Sequence, residues 1–259
     1  MVNKKIYIIL IVSLLVFFIV MFSLLGVKNI KEEQYSSTII IGNSTVWTFS
    51  EKKWNNITYK SSLKNLSWEK YHVFSNKEYA GEYYLWHDDK WYVFDENKKA
   101  ILLEGDLIAY SANSDLKLQS PSEKTVENFD YINYVLEKND LSLSSKFTSI
   151  YKVDFDIDND STEEEFYIIS NAFSMDFTPD KTFSIAFMVK NDTIYYLYKD
   201  VTDNKAFNGC KPYYNFFLDV NDDNKYELVL SCSKYSVIDQ IDMLYEFNDN
   251  EFKILISNK

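Results

Sequence analysis

Residues 217–230 read FLDVNDDNKYELVL, and this stretch decides the fold. Two short apolar runs flank a loop in which oxygen-bearing side chains recur. Counting from Asp219 as position 1, Asn221 is at position 3, Asp223 at position 5 and Glu227 at position 9. Short apolar runs separated by a cluster of Asn and Asp are typical of paired β-strands. The stretch therefore predicts an antiparallel strand pair that carries an acidic loop.

A similar loop precedes this one by 63 residues. Residues 156–165 read DIDNDSTEEE and place Asp156, Asp158, Asp160 and Glu164 at the same four positions. Short carboxylates at alternate positions of a tight loop converge on one hard cation, and Ca²⁺ takes about 6–8 oxygen ligands. Converged carboxylates without a cation repel one another. Both loops therefore predict Ca²⁺ sites, with a solvated acidic hairpin loop as the alternative for each.

The two loops differ from an EF-hand in their twelfth position and in their flanks. The twelfth residue is Tyr167 in one loop and Leu230 in the other, and neither supplies a bidentate carboxylate. Predicted strands, not helices, flank both loops. Position 6 holds Ser161 and Asn224, where glycine is usual, and Glu165 directly precedes the first apolar strand. The register of the first loop is therefore open.

The order of strand, acidic loop and Glu-apolar-x-apolar strand resembles the calcium loops of FG-GAP or VCBS-type repeats, as in the β-propeller blades of integrin α-subunits. The resemblance covers about residues 147–259. It implies that positions 1, 3, 5, 7 and 9 bind Ca²⁺ between the first two strands of a blade, position 7 through its backbone carbonyl. The implied ligands are Asp156, Asp158, Asp160, Thr162 and Glu164 in the first loop, and Asp219, Asn221, Asp223, Lys225 and Glu227 in the second.

Residues 147–259 contain eight predicted strands in two sets of four. Their short lengths and frequent turn signals favour antiparallel four-stranded units, either propeller-like blades or a small β-sandwich, over βαβ units. The predicted strands span about 147–155, 165–171, 183–190, 193–199, 212–219, 226–233, 240–247 and 251–257.

The preceding part of the chain predicts a further β region and one helix. Residues 38–118 alternate short aromatic or β-branched runs with polar turns, and they predict hairpins around Ser50–Lys53 and His87–Lys90. Residues 119–141 predict a connecting helix, because Ser120-Pro121-Ser122-Glu123 forms a capping box before apolar residues at helical spacing.

The N-terminus predicts a membrane anchor. Residues 6–27 are 22 uncharged, mostly apolar residues that follow Lys4 and Lys5. A helix of this length spans about 33 Å, which is enough for a bilayer core. We expect an uncleaved signal anchor with residues 1–5 in the cytoplasm and residues 28–37 as a tether to an extracytoplasmic domain. A cleaved signal peptide is the alternative.

Composition limits the partners of this domain. The 259 residues carry a formal charge of −12, and all 27 basic residues are lysine. Nucleic-acid binding requires a basic face and usually arginine forks, so this class is excluded. Anionic lipid repels an acidic body. We therefore expect membrane contact through residues 6–27 alone, with an unidentified surface protein or glycan as ligand.

The two cysteines, Cys210 and Cys232, flank the second acidic loop. Outside the cytoplasm each is the other's only candidate partner for a disulfide. If the ends of the loop face each other directly, Cys232 falls opposite Tyr214, which leaves Cys210 too far away unless the chain folds inwards. A disulfide is therefore expected, and two separate buried thiols remain the alternative.

Catalytic signatures are not found in the sequence. It contains no GxSxG, HExxH or P-loop pattern. Of the two histidines, His72 and His87, the second is expected in an exposed turn. All five tryptophans lie between Trp47 and Trp91, where cross-strand packing is favoured over a binding platform. No catalytic residue is predicted.

The leading interpretation is a single-pass cell-membrane protein with a Ca²⁺-stabilised, mainly-β extracytoplasmic domain that binds a ligand or serves as a scaffold. Two alternatives remain open at this point. One is an extracytoplasmic enzyme acting on cell-wall polysaccharide, with its site in the tryptophan-rich half. The other is a tethered subunit of a surface complex.

Overall fold

The two-residue turns of the chain determine much of its strand pairing. Glu51 and Lys52 have φ of 50° and 65°, and three later pairs share this left-handed conformation. Positive φ at both central residues defines the type I′ turn, whose twist matches that of the flanking antiparallel strands. The other three pairs are Asn76 with Lys77, Asn191 with Asp192, and Asp249 with Asn250.

The computed structural model describes residues 37–43, 45–58, 60–102, 106–111, 118–143, 148–172, 181–203, 210–221, 223–234 and 240–258. The predicted membrane segment 6–27 and the tether up to residue 36 lie outside these ranges. Among the residues described, no helix is long and apolar enough to cross a membrane. Residues from Ser37 to Lys259 belong to one compact unit.

The first sheet is formed by eight antiparallel strands in the order β3-β2-β1-β8-β4-β5-β6-β7. A short helix, α1 (Lys60–Asn65), lies between β3 and β4. The strands are β1 (Ser37–Ile41), β2 (Thr45–Ser50), β3 (Lys53–Asn56), β4 (Lys70–Ser75), β5 (Glu78–His87), β6 (Trp91–Phe94), β7 (Ala100–Ile101) and β8 (Leu107–Ser111).

Both predicted hairpins of this region are present, with shorter connections than expected. Ser50 pairs with Lys53, so a two-residue turn joins β2 to β3. His87 pairs with Trp91, so three residues join β5 to β6. The predicted four-residue loops were too long because Ser50 and Lys53 in the first, and His87 in the second, already belong to strands.

The C-terminal half contains the two predicted sets of four strands. The second sheet has the order β10-β11-β12-β13, and the third has the order β17-β16-β15-β14-β9. The strands are β9 (Leu118–Gln119), β10 (Ser149–Phe155), β11 (Glu164–Ser170), β12 (Thr182–Lys190), β13 (Thr193–Thr202), β14 (Cys210–Leu218), β15 (Glu227–Lys234), β16 (Gln240–Asn248) and β17 (Glu251–Ser257). The fold class is therefore mainly β with antiparallel sheets.

The three sheets and one helix are stacked in layers, with the third sheet in the middle. Along β14, Phe217 packs into a core shared with the second sheet. Its neighbours Phe216 and Leu218 pack into another core shared with the first sheet. Successive residues of a strand point to opposite faces, so a sheet covered on both sides is apolar throughout. The described strands do not close into a propeller, and the propeller-like expectation is replaced by this stack.

The connecting helix begins nine residues later than the capping box predicted. The helix α2 spans Asp130–Lys138. Before it, the Lys124 N–H donates to the Lys152 carbonyl at 2.8 Å, which ties this segment to the edge of the second sheet. The Asn128 side chain then accepts from the Asp130 N–H at 2.9 Å. A sheet-edge hydrogen bond and a later side-chain turn therefore override the local signal at Ser120.

The face of α2 that carries Ile132, Val135 and Leu136 packs on the outer side of the second sheet. This completes the fourth layer. Since α2 covers that sheet from outside and the third sheet covers it from inside, the inner strands β11 and β12 contribute apolar residues to cores on both faces.

A register offset at the second acidic loop and a bulge in β14 together bring the two cysteines close. Leu218, and not Asp219, lies opposite Glu227, and the register shifts by one further residue between Tyr214 and Phe216. Cys232 therefore lies opposite Pro212 and not opposite Tyr214 as expected. Cys210 and Cys232 form a disulfide, with their Cα atoms 5.4 Å apart, which is within the usual range for a bridge. The offset and the extra residue of the bulge reduce the mismatch that the expected ladder would have left.

Candidate cation site in two repeated acidic loops

Residues 156–164, hereafter loop 1, and residues 219–227, hereafter loop 2, have the same backbone hydrogen bonds. The position-1 carboxylate accepts from the N–H groups of positions 5 and 6 in both loops. The position-5 carboxylate accepts from the N–H of position 7, at 2.8 Å for Asp160 and 2.9 Å for Asp223. The two loops are therefore structural repeats and not two chance acidic turns.

Position 6 has a left-handed backbone in each loop. Its φ is 72° at Ser161 and 64° at Asn224. Glycine adopts this region without a steric cost, and Asn tolerates it better than Ser does. The sequence departs from the usual glycine here, yet the backbone keeps the conformation that folds the loop back towards position 1.

Position 9 is a buried glutamate that opens the next strand. Glu164 and Glu227 are each 2% exposed. Each accepts from the backbone N–H of position 2, at 3.0 Å from Ile157 and 2.9 Å from Val220. Glu164 thus occupies the predicted position, while Glu165 bonds to Lys152 instead. This settles the register that the sequence left open.

The two loops are also in direct contact. The Tyr226 N–H of loop 2 donates to the Ile157 carbonyl of loop 1 at 2.8 Å. The Tyr226 ring lies 5.0 Å from the ring of Phe155, at the end of the strand that leads into loop 1. One backbone hydrogen bond and one aromatic contact therefore join the two loops.

Loop 1 already contains a cation, the ammonium group of Lys190. Its Nζ lies 2.9 Å from Asp158, 3.0 Å from Asp160 and 2.5 Å from Glu164. An ammonium has three N–H donors, and three carboxylates take them here. Among the described residues, only Asp156, Asp158 and Glu164 form a set of three metal-type ligands with one ligand atom each, all within 4.8 Å of one another.

Loop 2 has no such ammonium. Its position 3 is Asn221, whose Nδ2 lies 3.2 Å from Asp223 and 3.3 Å from Glu227. Within the described part of the chain, no lysine or histidine comes within 4.0 Å of the carboxylates of Asp219, Asp223 or Glu227. The neutral amide of Asn221 therefore supplies no positive charge to these acids.

The strand next to each loop explains this difference. Glu165 pairs with Val189, so the following residue, Lys190, faces Glu164 across the sheet. In the other repeat Leu228 pairs with Tyr245, so the residue that faces Glu227 is Glu246. The same place in the two sheets carries a lysine beside loop 1 and a glutamate beside loop 2.

The pKa values of the two buried glutamates follow from these surroundings. Burial raises the pKa of Glu227 to about 8; the Val220 N–H opposes this rise, and the charges of Asp223, Asp219 and Glu246 add to it. Burial also raises the pKa of Glu164, but there the hydrogen bond from Lys190 opposes the rise. The Lys190 contact is the main cause that lowers the pKa of Asp160.

Of the ten predicted ligand residues, the structure brings the carboxylates of Asp156, Asp158 and Glu164 together in loop 1. The three acids of loop 2, Asp219, Asp223 and Glu227, do not form such a set, and there Asn221 contacts Asp223 and Glu227. Sequence reasoning did not include Lys190 and Glu246. Strand register could have located both residues. Each lies on the strand next to its loop, close to a hairpin turn, and counting the pairs along that strand places it opposite the position-9 glutamate.

Other candidates from the sequence lie in packing roles. His87, expected in an exposed turn, is buried, and its ring lies 4.8 Å from that of Trp91. That expectation was wrong because β5 continues through His87. Trp47 and Trp91 are buried, whereas Trp68 is 44% exposed and lies under the ammonium of Lys98.

Comparisons with known proteins do not identify the chain. No protein-family model, no curated protein and no solved structure matches it. Interpretation therefore rests on the geometry of the two loops.

Proposed function

We propose that loop 2 binds one Ca²⁺ ion and that this ion stabilises the β domain of a membrane-anchored extracytoplasmic protein with a binding or scaffold role. One observation carries the proposal. Loop 2 repeats the hydrogen-bond pattern of loop 1, in which the Lys190 ammonium contacts three carboxylates, but among the described residues no ammonium contacts the acids of loop 2.

The donor set of loop 2 fits Ca²⁺ in number and type. Asp219, Asp223 and Glu227 supply carboxylate oxygens, Asn221 can present its amide oxygen after rotation, and the Lys225 carbonyl is a candidate at position 7. Hard oxygen donors of this kind suit Ca²⁺, which takes about 6–8 ligands at about 2.3–2.6 Å, with water completing the set. Mg²⁺ requires a tighter octahedron and gives up its own water reluctantly.

A structural role for the ion follows from the position of loop 2. Its flanking strands, β14 and β15, belong to the middle layer of the stack and contribute to the cores on both sides. Glu227 is the first residue of β15, so an ion bound by its carboxyl group is attached to a strand at the centre of the fold. The ion therefore acts on the sheet that holds the other layers together.

Two observations support the extracytoplasmic location. The disulfide between Cys210 and Cys232 is typical of oxidising compartments. Residues 6–27 have the length and composition of a signal anchor. Ca²⁺ at extracellular concentrations is also sufficient for modules whose Kd lies at about 10⁻⁴–10⁻³ M.

Thermal unfolding with and without Ca²⁺ tests the proposal. A site that is filled at a hundredfold excess over Kd stabilises the folded state by about 2.7 kcal/mol. We expect Ca²⁺ to raise the Tm, Mg²⁺ to raise it less, and the double variant Asp219→Ala/Asp223→Ala to lose most of the Ca²⁺ effect.

The matched control removes two acids from another turn, as Asp88→Ala/Asp89→Ala, and should keep the full Ca²⁺ effect. An equal Ca²⁺-induced shift in the loop 2 variant and in the wild type would return loop 2 to the status of a solvated acidic turn.

A further inference from the structure

The two loops share a backbone but not a charge balance. Loop 1 contributes four acids at positions 1, 3, 5 and 9, and Lys190 compensates part of that charge from the neighbouring strand. Loop 2 contributes three acids and an asparagine at these positions, with Glu246 facing the buried glutamate. The two sites therefore differ in charge balance, and only in loop 1 do three carboxylates lie within 4.8 Å of one another among the described residues.

We propose that the Lys190 ammonium is the resident cation of loop 1, so that loop 1 folds without a metal ion and the chain holds a single Ca²⁺, at loop 2. The statement about loop 2 rests on the function proposed above. The statement about Lys190 does not, because it depends only on the contacts of loop 1.

The geometry shows a cation position and not a chance surface ion pair. The side chain of Lys190 is 12% exposed and that of Glu164 is 1% exposed, so the contact is largely removed from water. Two oxygens that share one Ca²⁺ lie at most about 5 Å apart, since each lies about 2.3–2.6 Å from the ion. The 4.8 Å limit that joins Asp156, Asp158 and Glu164 meets this condition. The cluster thus has the dimensions of a metal site, and Lys190 contacts two of its three members.

The ammonium also has an advantage over an ion from solution. It is fixed to β12, so its local concentration at loop 1 is set by the fold and does not depend on the medium. A metal ion entering loop 1 has to expel Lys190 from its carboxylates and leave a lysine beside them with fewer partners. Loop 1 is therefore expected to exclude Ca²⁺ for as long as Lys190 is present.

Replacement of Lys190 tests the inference directly. In the full-length chain purified in mild detergent, calorimetric titration with Ca²⁺ counts the bound ions. We expect one ion for the wild type and two for Lys190→Gln. In the Asp219→Ala/Asp223→Ala background we expect none, and one after Lys190→Gln is added.

Lys152→Gln is the matched control. Lys152 is as buried as Lys190, with its side chain 13% exposed, and it pairs with Asp154 and Glu165 on the same sheet outside loop 1. Its replacement should leave the ion count of the wild type unchanged.

The outcomes distinguish the two proposals. If the wild type binds no Ca²⁺, the function proposed for loop 2 fails, yet Lys190→Gln must still gain one ion. If Lys190→Gln gains no ion relative to Lys152→Gln, or if the wild type binds two, the assignment of Lys190 is overturned.

A measurement on the wild type covers the case in which Lys190→Gln does not fold. Ammonium protons held by three carboxylates exchange slowly, so Lys190 should give a protected ¹H–¹⁵N signal in NMR spectra. Lys190→Arg, which keeps the charge, assigns that signal by removing it. The signal should persist in millimolar Ca²⁺. Its absence, or its loss on adding Ca²⁺, would overturn the inference.

Discussion

The carboxyl group of Asp242 joins the first sheet to the third, and its removal should cost much of the stability of the domain. Asp242 is 0% exposed. One oxygen accepts from the hydroxyl of Thr45 on β2 at 2.6 Å. The other accepts from Ser231 at 2.5 Å and from Gln240 at 2.7 Å. Three donors from two layers therefore converge on one buried group.

The expected magnitude follows from these three donors. In Asp242→Ala each loses its acceptor, and a buried unsatisfied polar group costs about 1–3 kcal/mol. The hydroxyls of Thr45 and Ser231 can turn towards other acceptors, so we expect a total loss of about 3–5 kcal/mol. In a domain of this size, that corresponds to a fall in Tm of about 6–20 °C. Asp242→Asn keeps one acceptor oxygen and should cost about 1–3 kcal/mol.

Urea unfolding, followed by tryptophan fluorescence, measures this loss. All five tryptophans lie in the N-terminal half of the chain, which is the half that Asp242 joins to the third sheet through Thr45. Asp203→Ala, an exposed aspartate after β13, is the control and should change stability by less than about 0.5 kcal/mol. A loss below about 1 kcal/mol for Asp242→Ala, with an unchanged m-value, would refute the role of Asp242 in joining the sheets.

Four further predictions concern other parts of the molecule. Reducing the Cys210–Cys232 disulfide should lower stability by about 3 kcal/mol, and alkylation of the non-reduced chain should label neither cysteine; two labelled cysteines would exclude the bridge. In the metal-free protein, the raised pKa of Glu227 means that the folded state binds more protons than the unfolded state between pH 4.5 and about 8. The Tm in EDTA should therefore fall as pH rises through this window, and Glu227→Gln should flatten that dependence. Tyr214→Phe should cost about 1–2 kcal/mol in urea unfolding, because the hydroxyl donates to a buried carbonyl at 2.8 Å; a neutral effect would mean that water replaces it. Removing residues 1–34 should leave a folded domain in the soluble fraction, and its persistence in the membrane pellet would contradict the predicted anchor.

Local chemistry made several features of the fold predictable. Short apolar runs and the Asn- and Asp-rich turns between them located both sets of four strands in residues 147–259. The same signals located the hairpins at β2–β3 and β5–β6. In each case the interaction that decides the structure lies within a few residues along the chain, so the sequence contains it directly.

Other features depend on contacts between distant residues. The capping box at Ser120 did not start the helix, because Lys124 pairs with Lys152 on a strand far along the chain. The register that brings the cysteines together depends on the pairing of Leu218 with Glu227 and on the bulge before Phe216, where β14 packs in the middle layer. Local propensity does not encode either contact.

The candidate site shows the same division. The ligand positions of both loops were readable from spacing, since all of them lie within nine consecutive residues. Whether each loop needs an ion depends on Lys190 and Glu246, which lie on neighbouring strands, and these residues become visible only when strand register is known.

A crystal structure of the protein grown in Ca²⁺, with anomalous scattering used to locate the ion, tests most directly whether loop 2 alone binds the metal. We expect one anomalous peak per chain, within loop 2 and bound by Asp219, Asp223 and Glu227, together with the Lys190 ammonium among the carboxylates of loop 1. A peak in loop 1 with Lys190 displaced, or an ion-free loop 2 at saturating Ca²⁺, would contradict this assignment.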